Sequence, residues 1–139
     1  MKFHTTNYTN TFIEVAEDCP VREAQIPPIK GDNKSIANLQ YEMVFNNPYR
    51  HTSDDVLFHC HAVKNKLTEE ELENARRIYF SKGQACFRAS PLTKRYGFGV
   101  HHNEAGKMAI YPVESDEYAK FEADPAITHI KAMRSKKAK

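Results

Sequence analysis

A basic, hydroxyl-rich segment between residues 88 and 102 is the first place where the sequence could do chemistry. Arginine carries a planar fork of N–H donors that matches a carboxylate or a phosphate, and neighbouring hydroxyls add further donors. Gly97 and Gly99 leave room for a ligand or another backbone to approach. We therefore predict that this segment binds an anion. The candidate ligand-binding residues are Arg88, Ser90, Thr93, Lys94, Arg95 and Tyr96.

Two adjacent acids, Asp54 and Asp55, complete the predicted ligand-binding set. They follow Thr52 and Ser53 where a loop is expected to lead into a strand, and paired acids there could bind a cation or act as a base. A second interpretation stays open for both groups. In it, the acids only bond nearby backbone groups, one of them pairs with Arg88, and the basic segment is an exposed turn.

Four histidines could hold a metal ion. His59 and His61 share one face of a predicted strand, about 7 Å apart at the level of their Cα atoms, and His101 or His102 could supply a third ligand. The pattern is short, and no Asp or Glu stands at a diagnostic spacing. It therefore favours a solvent-facing or partner-facing histidine pair over a zinc site, and we expect no cofactor.

Motifs for nucleophilic catalysis and for nucleotide binding are missing from the sequence. There is no GxSxG elbow and no Walker loop, and the glycine pair at 97 and 99 lacks the third glycine of a dinucleotide fingerprint. Cys86 lies two residues from Arg88, but its sequence context favours an inert thiol.

Length and composition predict one domain over residues 1–139. A chain with 40% hydrophobic and 27% charged residues can bury a single core beneath a polar exterior. No apolar signal region and no membrane-spanning window are visible, so we expect no membrane association. Cys19, Cys60 and Cys86 are too scattered for a disulfide framework and favour a reducing cytoplasm.

The charge distribution argues against nucleic acid as a partner. The net charge is only +2, without the basic surface that phosphate backbones require. Lysine and arginine gather at residues 134–139, which is typical of a frayed, solvated tail.

The residue pattern predicts an α+β fold with the element order β-α-β-α-β-β-β-α-β. We expect a largely antiparallel sheet with two to three helices packed on one face. Capped helices should begin after Ser35, Thr68 and Ser115. The strands are predicted at 11–16, 56–63, 85–89, 96–102, 107–113 and 127–133.

Three stretches of the chain resemble a family of small bacterial proteins of unknown function. They are NTFIEVAEDCP at 10–20, NPYRHTSDDV at 47–56 and RASPLTKRYGFGVH at 88–101. The resemblance covers nearly the whole chain, and the third stretch is the most specific. It implies no activity, so no residue inherits a role from it.

The leading functional hypothesis is a cytoplasmic binding or interaction domain for an anionic small molecule or an acidic partner. We expect it to form a homo-oligomer through an exposed sheet edge or face. One alternative is a small enzyme that uses an Arg88-centred cleft, with Asp54, Asp55 or a histidine as acid or base. The other is a histidine-coordinated metal protein.

Overall fold

The computed structural model describes residues 3–135 and contains a mixed sheet. Within that range the sheet has four strands in the order β3-β2-β1-β4. Strand β1 pairs antiparallel with β2 and parallel with β4, and β2 pairs antiparallel with β3. The α+β prediction is confirmed. The strands are β1 (Thr11–Glu14), β2 (Phe98–His102), β3 (Met108–Pro112) and β4 (Thr128–Lys131).

Five α-helices accompany the sheet in the described part of the chain. The side chains of Ser35, Thr52 and Ser115 each accept a backbone N–H at the first turn of the helix that follows, which satisfies a donor with no partner inside the helix. The helices are α1 (Ile36–Phe45), α2 (Ser53–Lys64), α3 (Leu72–Tyr79), α4 (Pro91–Lys94) and α5 (Asp116–Ala123). None of the helices between residues 3 and 135 combines the length and the apolar character needed to cross a bilayer.

The two faces of the sheet pack against different helices. Ile13 is paired in register with Val100, and Val100 with Ile110, so these side chains share one face and join the main core with α1, α2 and α4. Phe12 points to the opposite face, where its ring meets Tyr118 and Phe121 of α5. The helices therefore cover both faces of the sheet, rather than the single face expected from the sequence.

Two predicted strands are wrong. Residues 56–63 lie within helix α2, and residues 85–89 form a coil that ends in the short 3-10 turn Phe87–Ala89. The alternation of apolar residues at 56, 58 and 60 arises because α2 is buried on two sides. Val56 and Cys60 contact the main core, whereas the Phe58 ring faces Tyr79 of α3. A helix buried on opposite sides can imitate the period of a strand.

Gly99 in β2 is required by the close approach of α5 to the sheet. A Cβ atom at this position would lie 2.6 Å from Phe12 Cζ and 2.6 Å from Tyr118 Cε2. Both rings are held in the core, since Phe12 and Tyr118 are almost fully buried. Only glycine lets α5 pack against this face.

We expect Gly99→Ala to lower the free energy of unfolding by about 2 kcal/mol, because an overpacked core must shift side chains or backbone. Gly83→Ala is the matched control, since a Cβ there meets nothing within 4 Å. Urea unfolding of both variants measures the difference. Equal stabilities would contradict the described packing of α5.

Candidate functional site

Arg88 lies in the 3-10 turn Phe87–Ala89, beside the outer edge of β4. Its Nε donates to the Lys131 carbonyl at 2.8 Å, and the Met133 N–H donates to the Arg88 carbonyl at 2.7 Å. Thr128 and Ala132 donate towards β1, so the backbone groups of residues 131 and 133 point to the free edge of the sheet. Arg88 therefore bonds the backbone groups of Lys131 and Met133 at the end of this edge, which would otherwise be open to pairing with another strand.

The hydroxyls next to Arg88 are buried and already bonded. Ser90 Oγ donates to Gln40 Oε1 at 2.5 Å and accepts the Leu92 N–H, which caps α4. Thr93 is fully buried, and its hydroxyl lies 2.9 Å from the Phe87 carbonyl. These two side chains hold the local fold.

The other residues of the basic segment lie apart from those hydroxyls. Lys94 ends α4, Arg95 is exposed beyond it, and the Tyr96 ring packs against the main core. Of the six predicted ligand-binding residues, Ser90 and Thr93 are therefore buried away from the surface that Arg88, Lys94 and Arg95 could offer a ligand.

Asp54 and Asp55 lie in the first turn of α2 and connect this helix to the N-terminal segment and to α3. Asp54 accepts the Thr6 N–H and the hydroxyls of Thr5 and Thr6, each at 2.7 Å. These bonds fix the segment at 3–10 before β1, which we call the N-terminal arm. Asp55 accepts the Thr52 N–H in a capping box. Its cationic partner is Arg76 Nη2 at 3.0 Å, not Arg88.

The environment of Asp55 favours its charged form. Burial by itself would raise the pKa of the carboxyl, but hydrogen bonds from Thr52 and Arg76 outweigh burial and hold the pKa below its ordinary value. Asp55 is therefore a fixed anion at neutral pH that positions the Arg76 guanidinium.

Arg76 is the functional candidate that the sequence reasoning missed. The carbon of its guanidinium lies 5.6 Å from the centre of the Phe58 ring and 5.4 Å from that of Phe80. Contact with aromatic rings and an ion pair together hold the group in place. A usable signal was present: Arg76 stands four residues after Leu72, on the apolar side of α3.

Two grooves meet at Arg76. The first, which we call the apolar groove, has a volume of about 570 Å³ and lies between α2 and α3. The second, the N-terminal groove, has a volume of about 430 Å³ and lies between the N-terminal arm and α3. Glu73 and Arg76 line both. The apolar groove is lined further by Met43, Asp55, Phe58, His59, Ala62, Val63, Lys66, Leu67 and Leu72. The N-terminal groove is lined further by Phe3, His4, Thr5, Asp54, Arg77 and Phe80.

The four candidate metal ligands do not meet. His59 and His61 lie two residues apart on a helix, where His59 lines the apolar groove and the His61 ring packs 4.6 Å from that of Tyr79. His101 and His102 point to opposite faces of β2. Within residues 3–135, no three His, Cys, Asp or Glu side chains come together as a metal site would need.

His101 instead joins a tyrosine network. Its Nδ1 lies 2.8 Å from the Tyr49 hydroxyl, which lies 3.0 Å from that of Tyr111. The His101 ring also stacks on Phe121 with 4.1 Å between centres, and its burial lowers its pKa. Tyr49 has a positive φ of 59°, a strained conformation that this network helps to hold.

His102 is buried in the core beside Tyr8. The side chain is fully covered, and neither ring nitrogen has a hydrogen-bond partner among the described residues. Burial lowers the pKa of His102 from 6.5 to about 4, although the nearby backbone of Thr11 and Val100 favours the charged form without reaching hydrogen-bond geometry. His102 is therefore neutral in the folded protein at neutral pH.

This depressed pKa predicts a loss of stability in acid. The unfolded chain protonates His102 first as the pH falls below about 6.5, so the free energy of unfolding should decrease by on the order of 3 kcal/mol between pH 6.5 and pH 4. His102→Leu should remove this part of the pH dependence. His59→Gln, at an exposed position, is the matched control and should keep the wild-type profile in urea unfolding. Parallel profiles for wild type and His102→Leu would contradict the assignment.

Comparison with known proteins gives a family but no described relative. No curated protein and no solved structure matches the chain. The sequence model of a family of unknown function, DUF6157, matches residues 3–138. The resemblance to a family of unknown function, drawn from the three sequence stretches, is thereby confirmed as far as the family is concerned, and the chain belongs to it.

Proposed function

We propose that this protein binds a small organic anion with an apolar body. The carboxylate of the ligand would pair with Arg76, and the body would occupy the apolar groove. The observation that carries the proposal is the position of the Arg76 guanidinium in the shared wall of two grooves. It replaces Arg88 as the centre of the anion-binding hypothesis, because Arg88 lies at a sheet edge.

Arg76 is suited to the task because it is oriented in advance and still has donors to offer. A guanidinium carries five N–H groups, and the described structure gives Arg76 one hydrogen bond, to Asp55. The side chain of Arg76 is 42% exposed. Asp55 and the two flanking rings restrict its motion, which reduces the entropy lost when a carboxylate binds.

The apolar groove has the dimensions and lining of a small-molecule site. Its volume of about 570 Å³ falls within the usual range of roughly 300 to 1,000 Å³ for ligand pockets. Its lining includes the aliphatic side chains of Ala62, Val63 and Leu67. Lys66 also lines the groove and adds a second positive charge for an anionic ligand.

Binding is favoured over catalysis by the state of the two aspartates. Asp54 accepts three hydrogen bonds from the N-terminal arm, and Asp55 is held ionised by Thr52 and Arg76. A carboxylate with a depressed pKa is a weak general base at neutral pH. Asp55 is instead well placed to fix Arg76 for recognition.

We place this binding in the cytoplasm. The three cysteines are free thiols, and Cys60 is buried in the core. Burial raises the pKa of Cys60 to about 11, so its thiol is protonated and unreactive. Free thiols of this kind are typical of proteins in reducing compartments.

Carboxylates with apolar bodies should stabilise the wild-type protein. Suitable probes are octanoate, phenylacetate and 3-phenylpropionate, each compared with its neutral amide. A ligand at a hundred times its Kd raises the free energy of unfolding by about 2.7 kcal/mol, which thermal shift detects, and calorimetry then gives the affinity. Arg76→Gln should weaken binding by at least about tenfold, because a hydrogen bond between charged groups is lost.

Three variants separate this site from its alternatives. Arg77→Gln removes the same charge from α3 outside the apolar groove, and Arg88→Ala tests the basic segment; both should bind like the wild type. Ala62→Phe should block the groove and abolish binding. The proposal is wrong if no carboxylate binds better than its amide, or if Arg76→Gln and Arg88→Ala bind equally.

A further inference from the structure

Helix α3 is the least buried helix of its length in the described structure. None of the eight residues from Leu72 to Tyr79 is buried, whereas α5, also of eight residues, buries Tyr118. A helix this short is unstable in water without tertiary packing. Its packing against α2 leaves Ile78 57% exposed.

A surface around Ile78, which we call the outer flank, includes residues of α3 and of the segments next to it. Ala75 and Ile78 lie three residues apart on one side of the helix, Lys82 follows the helix and lines a cavity with both, and Glu71 ends the 3-10 turn before the helix. Glu73 and Arg76, which line the two grooves, lie on the other side. The outer flank is thus separate from the proposed ligand site.

A shallow cavity adjoins the outer flank and could receive an aliphatic side chain. It has a volume of about 290 Å³, and its walls include Ala75, Ile78 and Lys82. The paired rings of His61 and Tyr79 also line it, with 4.6 Å between their centres. An aliphatic side chain from a partner would find an apolar surface there.

The charges of α3 are self-complementary in an antiparallel arrangement. Acids precede and open the helix at Glu69–Glu71 and Glu73, and bases follow at Arg77 and Lys82. When two copies of such a helix lie antiparallel about a two-fold axis, the acidic end of each meets the basic end of the other. The midpoint between Glu71 and Lys82 falls between Ala75 and Ile78, which places the apolar residues on the axis.

The edges of the sheet are less suited to self-association. Arg88 bonds the outer edge of β4, and on the β3 edge the Met108 backbone exchanges hydrogen bonds with Tyr49 and His51. These contacts occupy one end of each edge strand, at Lys131 in β4 and at Met108 in β3, and shorten the stretch that is open to pairing.

We propose that two copies of this chain associate about a two-fold axis through antiparallel packing of their α3 outer flanks. Each Ile78 inserts into the cavity lined by His61 and Tyr79 of the other copy. Glu71 of each copy faces Lys82 of the other. The interface is centred on one short helix, so its dissociation constant lies in the micromolar range rather than that of a large obligate dimer.

Sedimentation velocity over a range of protein concentrations tests the interface. The wild type should convert from monomer to dimer, and Ile78→Asp should weaken association by at least about a hundredfold, because it buries a charge on the axis. Val63→Asp is the matched control, since Val63 is 45% exposed but lies in the apolar groove. It should dimerise like the wild type. A wild type that remains monomeric at about 0.5 mM, or equal dimerisation of Ile78→Asp and wild type, overturns the proposal.

Cysteine cross-linking tests the geometry without relying on a destabilising charge. A mixture of Ala75→Cys and Ile78→Cys chains should form an intermolecular disulfide under mild oxidation, because the register that pairs Glu71 with Lys82 places residue 78 of one copy opposite residue 75 of the other. Ile26→Cys, at a position that is 67% exposed, should cross-link no faster than the wild type. Equal rates for the mixture and for Ile26→Cys overturn the two-fold arrangement.

The ligand-site variant separates this proposal from the proposed function. Arg76→Gln should dimerise like the wild type, and Ile78→Asp should bind carboxylates as monomer. Failure of either proposal therefore leaves the other standing.

Discussion

The burial of β1 on both faces and both edges is the constraint on which the rest of the structure depends. Ile13 is fully buried in the main core and Phe12 is fully buried beneath α5, so the strand requires helices on both sides of the sheet. Its backbone pairs with β2 on one edge and β4 on the other. Strand β4 lies beyond β1 at an edge of the sheet. Arg88 bonds the backbone of Lys131 and Met133 on the outer side of this strand.

The local features of this fold were readable from the sequence because they depend on neighbouring residues. The hairpin of β2 and β3 follows from alternation around a turn, and the starts of α1 and α5 follow from Ser35 and Ser115. Helix α2 was missed although Thr52 and Asp55 form a capping box, because Val56, Phe58 and Cys60 are buried on two sides. Only the tertiary position of α3 explains that second buried side.

The candidate site was harder to predict because its parts are distant in the sequence. The sequence analysis proposed Asp54 and Asp55 as site residues, but it could not show that their partners lie in the N-terminal arm and in α3. Arg88 was predicted to bind an anion because hydroxyl residues and a lysine follow it. The hydroxyls of Ser90 and Thr93 instead hold α4 in place. Two features distinguish Arg76 from Arg88: the grooves beside Arg76 and the Asp55 carboxylate that orients it. Of the basic tail predicted at 134–139, residues 136–139 lie outside the described residues. The Ser135 N–H donates to the Asp18 carboxylate at 2.9 Å.

Helix α3 carries the two proposals on opposite sides, and its weak packing links them. The helix has little burial of its own, so its stability depends on what contacts it. A ligand paired with Arg76 would hold one side of α3 against α2, and a second copy would cover Ile78 on the other. On the two proposals, either event would order the same helix and reduce the entropy cost of the other, so each binding step would favour the other. The proposals thus assign the weakly packed α3 the role of a binding element with two faces.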